Sequence, residues 1–246
     1  MKVAAIVVSH GHPVELAQSL PALEPQVDEL VVIANVPGSV PAGVAAISNE
    51  QPLGFGANVN RGVALTESEL VVSANPDAVP GPGAVAALRS FMETHPRCGV
   101  AGPRMVFPDG RWQPSRRRFP TVLGTLVRRT PLRLVIRQRR HYHLDEAPPE
   151  QAVPADWMLG GFLMLRRSML HELGGFDEGF RLYGEDIDLQ YRAMLAGWER
   201  WYVPAAVVQH EHKAVTDTRW LTRRTLWHWR GIARFVRKHP ERLFAR

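Results

Sequence analysis

Residues 2–35 read KVAAIVVSHGHPVELAQSLPALEPQVDELVVIAN, and the fold is decided by how that stretch divides. KVAAIVVS is a near-continuous apolar run of the kind found in strands buried on both faces. HPVELAQSLPAL carries its apolar residues at helical spacing, and VDELVVIAN reads as a second strand. A strand, a helix and another strand in close succession are the opening of a β/α alternation.

The alternation continues outward. Past GVAAISN and the glycine-rich PLGFGANVNRGVALTES, the run ELVVSANPDAVP reads as a further strand ending in a proline-bearing turn. Pro82 to His95 reads as a helix, and CGVAGPRMVF as a return strand. The predicted class is α/β, a mixed and mostly parallel sheet with helices on both faces. Ligands of such sheets bind beyond the carboxyl ends of the strands, where Ser9 and Asp77 fall. An Asp in a turn commonly bonds only the backbone of that turn. At a ligand edge Asp77 also suits a hard cation shared with a diphosphate, because Mg2+ takes one or two protein carboxylates and phosphate oxygens.

The chain has 246 residues, 45% of them hydrophobic, enough to bury a core as one domain with a tail. The one cysteine, Cys98, excludes an internal disulfide and a multi-cysteine zinc site and fits a reducing compartment. The apolar run at the amino end stops at Ser9, too short for a secretion signal, and no run reaches the about 18 apolar residues of a membrane span. A cytoplasmic protein is expected. Its net charge of +6 is unevenly distributed. Arg111 to Arg140 holds ten arginines and no acid, and Arg219 to Arg246 holds eight arginines and one lysine against Glu241. Nucleic acid, anionic lipid headgroups or a diphosphate-bearing substrate would each fit such a surface, as would plain solvation.

The second half opens with an Arg- and Pro-rich stretch, residues 110–155, of the kind that is functional or mobile in compact domains. Order resumes at ADWMLGGFLMLRRSMLHELGGFDEGF. There Gly160 and Gly161 permit close backbone approach, FLMLRR passes as a strand, and SMLHEL as a short helix stopped by Gly174. YGEDIDLQYRAMLAGW follows from Tyr183, an amphipathic helix with Glu185, Asp186 and Asp188 in its first turn. Acids there suit the free N–H groups and the helix dipole, so helix chemistry alone could account for them. Ile187, Tyr191, Met194 and Leu195 form the expected buried stripe, and Asp186 and Asp188 diverge by about 200° around the axis. Only one of the two can face a substrate. The last strand, WERWYVPAAVVQHEHK, leads to His210 and His212, whose spacing puts both rings on one face.

The order and spacing of VVSHGH, LGFGANVNRG, ANPDAVPGPGAV, DWMLGG, GGFDEGFRLYGEDIDLQYR and AGWERWYVPAAVVQH resemble the inverting family-2 glycosyltransferases of the GT-A fold. The likeness is nearest to bacterial rhamnosyltransferase-like members that build cell-wall and surface polysaccharides. It covers roughly residues 2–216, with a nucleotide-binding half to about 110 and an acceptor half from about 155. It implies a nucleotide-diphosphate sugar donor and a glycan or polyprenyl-diphosphate-linked acceptor. It implies Asp186 as the general base, with Glu185 and Asp188 supporting it, and Mg2+ or Mn2+ held by Asp77 and His210, with His212 the lesser alternative. Ser9, Asn35, Gly54, Asn58, Asn75 and Asp77 would lie on the donor side, and Trp157, Gly160 and Gly161 on the acceptor side.

One position departs from the family pattern. Members usually carry Asp-Asn after the second strand, the Asp contacting the nucleoside, whereas here Ala34 precedes Asn35. Ser9 or Asn58 would have to replace that contact, or donor affinity is low, or the chain is an inactive basic module on a nucleotide-binding sheet that binds membrane or an anionic polymer. No DNA- or RNA-binding motif accompanies the arginines, so nucleic acid is not an expected partner. In the tail, residues 217–246, Leu221, Thr225, Trp229, Ile232 and Val236 recur at helical spacing, with Arg223, Arg230, Arg234 and Arg237 over much of the remaining surface. Such a helix either packs on the catalytic domain or, the preferred expectation, makes peripheral contact with an anionic membrane at its inner face.

Overall fold

Strand β1 (Val3–Ser9) is buried along its whole length and lies between two parallel neighbours, β2 (Glu29–Ala34) and β4 (Leu70–Ala74). Its side chains alternate between faces, as a period of two requires. Val3, Ala5 and Val7 join one hydrophobic cluster with helices α1 (Pro13–Leu23) and α3 (Ala84–Thr94). Ile6 and Val8 join a second cluster, with α2 (Phe55–Val63), α4 (Arg167–Leu173) and α5 (Glu185–Leu195). Helices therefore cover both faces, which is why β1 has no polar alternation to show. The computed structural model describes residues 1–120, 147–211 and 223–243.

Outside β2, β3 (Ile47–Ser48) extends the parallel half. On the other side, β4 is followed by β11 (Phe162–Arg166), β6 (Cys98–Val106), β12 (Glu199–His210) and β5 (Ala78–Pro80). β11 runs antiparallel between β4 and β6, β6 and β12 are parallel, and β5 is antiparallel to β12, so the sheet is mixed. Short strands complete it: β7 (Trp112–Gln113) on β6 and β9 (Val153–Pro154) on β12. A separate two-stranded ribbon joins β8 (Arg116–Arg117) to β10 (Trp157–Met158).

The strands and helices expected from the sequence fall where their patterns put them, except that the end of ELVVSANPDAVP forms the separate strand β5, and with three further differences. The glycine-rich stretch, which suggests no element, contains helix α2. Its glycines are there for contact: a β-carbon on Gly62 would stand 2.4 Å from a methyl of Ile6, and one on Gly56 2.8 Å from Phe176. The buried stripe of α5 is also not the expected one. Leu189, Ala193 and Tyr191 face inward with Asp188, while Leu195 is 61% exposed in the last turn. The cause is a second neighbour, the tail helix α6 (Arg223–Lys238), which covers the flank of α5 that carries Asp188.

That helix supplies the third difference. Its inward residues are Gly231 and Phe235, joined by His239 just past its end, and they are offset from the expected stripe of Trp229, Ile232 and Val236, which are half-buried. Phe235 enters an aromatic cluster with Phe119, Trp157, Phe180 and Tyr191. Arg234, expected on the open surface, pairs with Asp177 at 2.8 Å. Leu221 and His212 lie outside the described residues, as does most of the first arginine-rich run. Among the described residues no helix is long and apolar enough to cross a membrane.

Candidate active site

The glycine turn between β10 and β11 brings together residues far apart in the chain. The N–H of Gly160 donates to Oδ2 of Asp186 at 3.1 Å, and the carbonyl of Gly161 accepts the N–H of Asn75 at 2.9 Å. A β-carbon at either glycine would collide, at 3.0 Å from Asp186 and 2.9 Å from the Nε2 of His210. Gly160 thus backs the first turn of α5, and Gly161 backs the last residue of β12. Two glycines at this seam let a carboxylate and an imidazole approach one turn from opposite sides.

On the α5 side, Asp186 is half-buried and its Oδ1 accepts the N–H of Ile187 at 2.9 Å. Burial raises its pKa, against the opposing pull of those backbone N–H groups and the charge of Arg117. Glu185 is 6% exposed, and its Oε2 has no hydrogen-bond partner among the described residues. Burial first, and the neighbouring Asp186 second, push it up to about 8, so Glu185 holds its proton at neutral pH. Asp188 points away. It is fully buried and accepts from Arg192 at 2.7 Å, Lys238 at 3.0 Å and His239 at 2.9 Å. Burial works against its ionisation, but those three donors prevail and hold its pKa below the usual aspartate value.

On the β12 side, burial alternates as far as His210, which faces inward with Ala206 and Val208. β12 pairs there with β5, which sets His210 opposite Ala78, one residue beyond Asp77. The Nε2 of His210 lies 3.5 Å from Oδ1 of Asp77. Its Nδ1 lies 3.1 Å from Oε1 of Gln113, an oxygen that accepts when Nδ1 carries the proton, and in that tautomer Nε2 can act as a metal ligand beside Asp77. An oxygen and a nitrogen donor at this spacing, with a polar group orienting the ring from behind, fit a small divalent cation. Among the described residues no group of three His, Cys, Asp or Glu could hold a metal ion, so a cation here needs oxygens from a substrate or water. Asp77 also borders a cleft with Glu15, Gln18, Gln209 and Glu211.

The other residues singled out in the sequence form walls. Ser9 is fully buried and donates its hydroxyl to the carbonyl of Ser39 at 2.5 Å. Asn35 accepts from Leu53 at 2.9 Å and Asn49 at 2.8 Å and donates to the carbonyl of Leu53 at 3.0 Å. Asn58 accepts from Asn49 at 2.6 Å and donates at 2.9 Å to the carbonyl of Gly54, the residue that caps the start of α2. Ser9 and Asn58 are thereby committed to the interior and offer no replacement for the contact missing at Ala34. Polar groups nearby include the exposed His10 and Arg61, which lie within the quoted motifs VVSHGH and LGFGANVNRG without being singled out there, and the half-buried Asn49. Trp157, expected on the acceptor side, is 2% exposed and donates its indole N–H to the carbonyl of Arg118 at 2.7 Å, so its ring is part of the interior. Gln113 was also invisible in sequence, since it belongs to a two-residue strand within an irregular stretch.

The model of the family described as "Glycosyltransferase like family 2" matches residues 3–229. A curated relative, N-acetylglucosaminyl-diphospho-decaprenol L-rhamnosyltransferase of Mycobacterium tuberculosis, is 40% identical over 181 residues, 66% of this chain and 56% of the relative. Among solved structures, that of GalNAc-T7 with UDP, GalNAc and Mn2+ superposes with a TM-score of 0.64 at 16% identity, covering 85% of this chain and 43% of the other. The mannosyltransferase PcManGT from Pyrobaculum calidifontis, in complex with GDP-Man and Mn2+, gives 0.57 at 14% identity, over 98% of this chain and 72% of that one. At such identities these two structures speak to the fold, which is GT-A.

Proposed function

The chain belongs to glycosyltransferase family 2, and on that premise we propose that it transfers a sugar, with inversion, from a nucleotide-diphosphate donor to a glycan or polyprenyl-diphosphate-linked acceptor. Rhamnose is the favoured sugar, ahead of another hexose or deoxyhexose, and synthesis of a cell-wall or surface polysaccharide is the setting. The relative that shares 40% identity supports the sugar and the lipid-linked acceptor. That match takes in 56% of the relative's length, so its full activity is not carried over whole.

The observation that carries the reading is the seam at Gly160 and Gly161, with Asp186 on one side and the Asp77–His210 pair on the other. Inverting transfer needs a base for the acceptor hydroxyl and a means of stabilising the departing diphosphate. Asp186, as the carboxylate beside a protonated Glu185, would take the hydroxyl proton as the oxygen attacks the anomeric carbon. Asp77 and His210 would hold Mg2+ or Mn2+, which supplies Lewis-acid stabilisation of the diphosphate. The two manganese-bound neighbours support a divalent ion without choosing between the metals. The exposed His10, beside Asn35, and the exposed Arg61, which donates to Asn49, would take the place of the acid that Ala34 lacks. The enzyme would act in the cytoplasm at the inner face of the cell membrane.

The deciding experiment is a screen of nucleotide sugars, nucleotide-diphosphate rhamnoses first, for hydrolysis and for transfer to polyprenyl-diphosphate-linked acceptors, with metal present and chelated. Metal-dependent turnover of one donor is expected. Donor-independent membrane or polymer binding with no turnover of any sugar nucleotide would favour the inactive basic module instead.

A further inference from the structure

We propose that the carboxy-terminal helix α6 is a positioning element of the active site, holding the turn from which Asp186 projects. α5 is entered through two consecutive left-handed residues, Tyr183 at φ 69° and Gly184 at φ 98°. A tyrosine in that conformation is disfavoured and persists only where its surroundings impose it. Here α6 lies directly against it. The helix backbone at Gly231 approaches so closely that a β-carbon there would stand 2.2 Å from the Tyr183 carbonyl oxygen.

Side chains from the next two turns of α6 and the residue beyond it fix this approach. Arg234 and Lys238 both bind Asp177, each at 2.8 Å. Lys238 and His239 bind Asp188, at 2.8 and 2.9 Å. Between them Phe235 is buried among Phe119, Trp157, Phe180 and Tyr191. Asp177 and Asp188 bracket the segment that carries Tyr183, Gly184, Glu185 and Asp186. Asn60 secures the start of that segment through two hydrogen bonds to Phe176, and Phe55 donates to the carbonyl of Arg181 at 3.3 Å. The last residues before the base are covered by α6. Asp177, Gly231, Arg234, Phe235, Lys238 and His239 are therefore positioning residues, acting on the reaction through the placement of Asp186.

The kinetic half of this inference rests on the transferase reading, and the exchange half does not. Three variants of the full chain separate the outcomes: Gly231→Ala, which forces a methyl into the Tyr183 carbonyl; Asp177→Asn, which removes two ion pairs without changing volume; and Ala233→Ser, at an exposed position of the same helix, as a control. In the first two, kcat should fall about tenfold or more, within the loss that a misplacement of about 1 Å produces, while donor KM stays within about twofold. Amide hydrogen exchange should speed up over residues 183–188, with β1 and β4 as protected as in the wild type. Ala233→Ser should match the wild type in both. Unchanged kcat and exchange in the first two variants, or an even loss of protection across the sheet, would overturn the proposal. If the wild-type chain transfers no sugar, the transferase reading falls, and exchange alone still decides whether α6 orders the turn.

Discussion

Replacing Asp186 with Asn should slow transfer by about 10² to 10⁴, the usual contribution of a positioned general base, while leaving the fold and donor affinity nearly unchanged. Both carboxylate oxygens accept backbone N–H groups, Oδ1 from Ile187 at 2.9 Å and Oδ2 from Gly160 at 3.1 Å. An amide retains one acceptor and turns a donor toward the other N–H. One hydrogen bond is lost and one backbone donor is left unmatched, at a cost of roughly 1–3 kcal/mol in stability. A domain stable by about 5–15 kcal/mol tolerates that loss. The same amide has no basicity to take the hydroxyl proton, and a rate loss of 10² to 10⁴ corresponds to about 3–5 kcal/mol of barrier. Initial transfer rates, donor titration calorimetry and thermal melting, run on one preparation, separate the two effects. A variant that melts within a few degrees of the wild type yet turns over at a near-normal rate would remove Asp186 from the base role.

Three further outcomes follow from the same geometry. Glu185, raised from 4.5 to about 8, keeps a proton in the folded state that the unfolded chain releases, so its stabilisation is full below 4.5 and is lost as pH rises through 8. Glu185→Gln should flatten that decline, and an equal fall in Tm for both proteins between about pH 5 and pH 8 would refute the assignment. Asp77→Ala should weaken metal-dependent donor binding by about 10- to 100-fold, the loss seen when even a supporting partner of a metal ligand is removed. Gly161→Ala, whose methyl would displace His210, should act in the same direction, and a metal titration that leaves donor affinity unchanged in both would count against the site. Vesicle sedimentation tests the membrane reading: Arg230→Glu with Arg237→Glu should weaken binding to anionic vesicles by more than about 1 kcal/mol per position, with salt reducing what remains. Equal binding to neutral and anionic vesicles, or none at low salt, would end that reading.

The sheet was legible because its order is local. KVAAIVVS, buried on both faces, needs no partner to be recognised as a central strand, and the alternation that follows dictates the crossovers. The acids of α5 and the end of β4 were legible through their motifs. What each side chain does there was less so, because it depends on partners far along the chain. Ser9 and Asn58 look like ligand contacts at a strand end and a helix start, yet Ser39 and Asn49 turn them inward. Gln113, which orients His210 across 97 positions of sequence, leaves no periodic or spacing signal. The stripe of α5 was misplaced for the same reason: hydrophobic periodicity reports one neighbour, and α5 has two.

The tail makes that point most sharply, and it bears on how its charge is understood. Counting arginines there predicts an anionic partner outside the protein, but Arg234 and Lys238 meet Asp177 and Asp188 within it. Those pairs lie on the face with Gly231, Phe235 and His239, whereas Arg230 and Arg237 are exposed. One basic helix thus carries two charge sets, separated by their position around the axis. Deleting it would strip both at once and uncover Phe180 and Tyr191, so a loss of activity on truncation would be ambiguous between a displaced base and a missing membrane contact. Charge reversal at Arg230 and Arg237 leaves Asp177 and Asp188 paired, and Asp177→Asn leaves the outer arginines in place. If the two faces serve separate purposes, the first change lowers vesicle binding at constant kcat on a short soluble acceptor, and the second lowers kcat at constant vesicle binding. If both changes lower both quantities, the faces are coupled, and seating on the membrane is part of how the base is set.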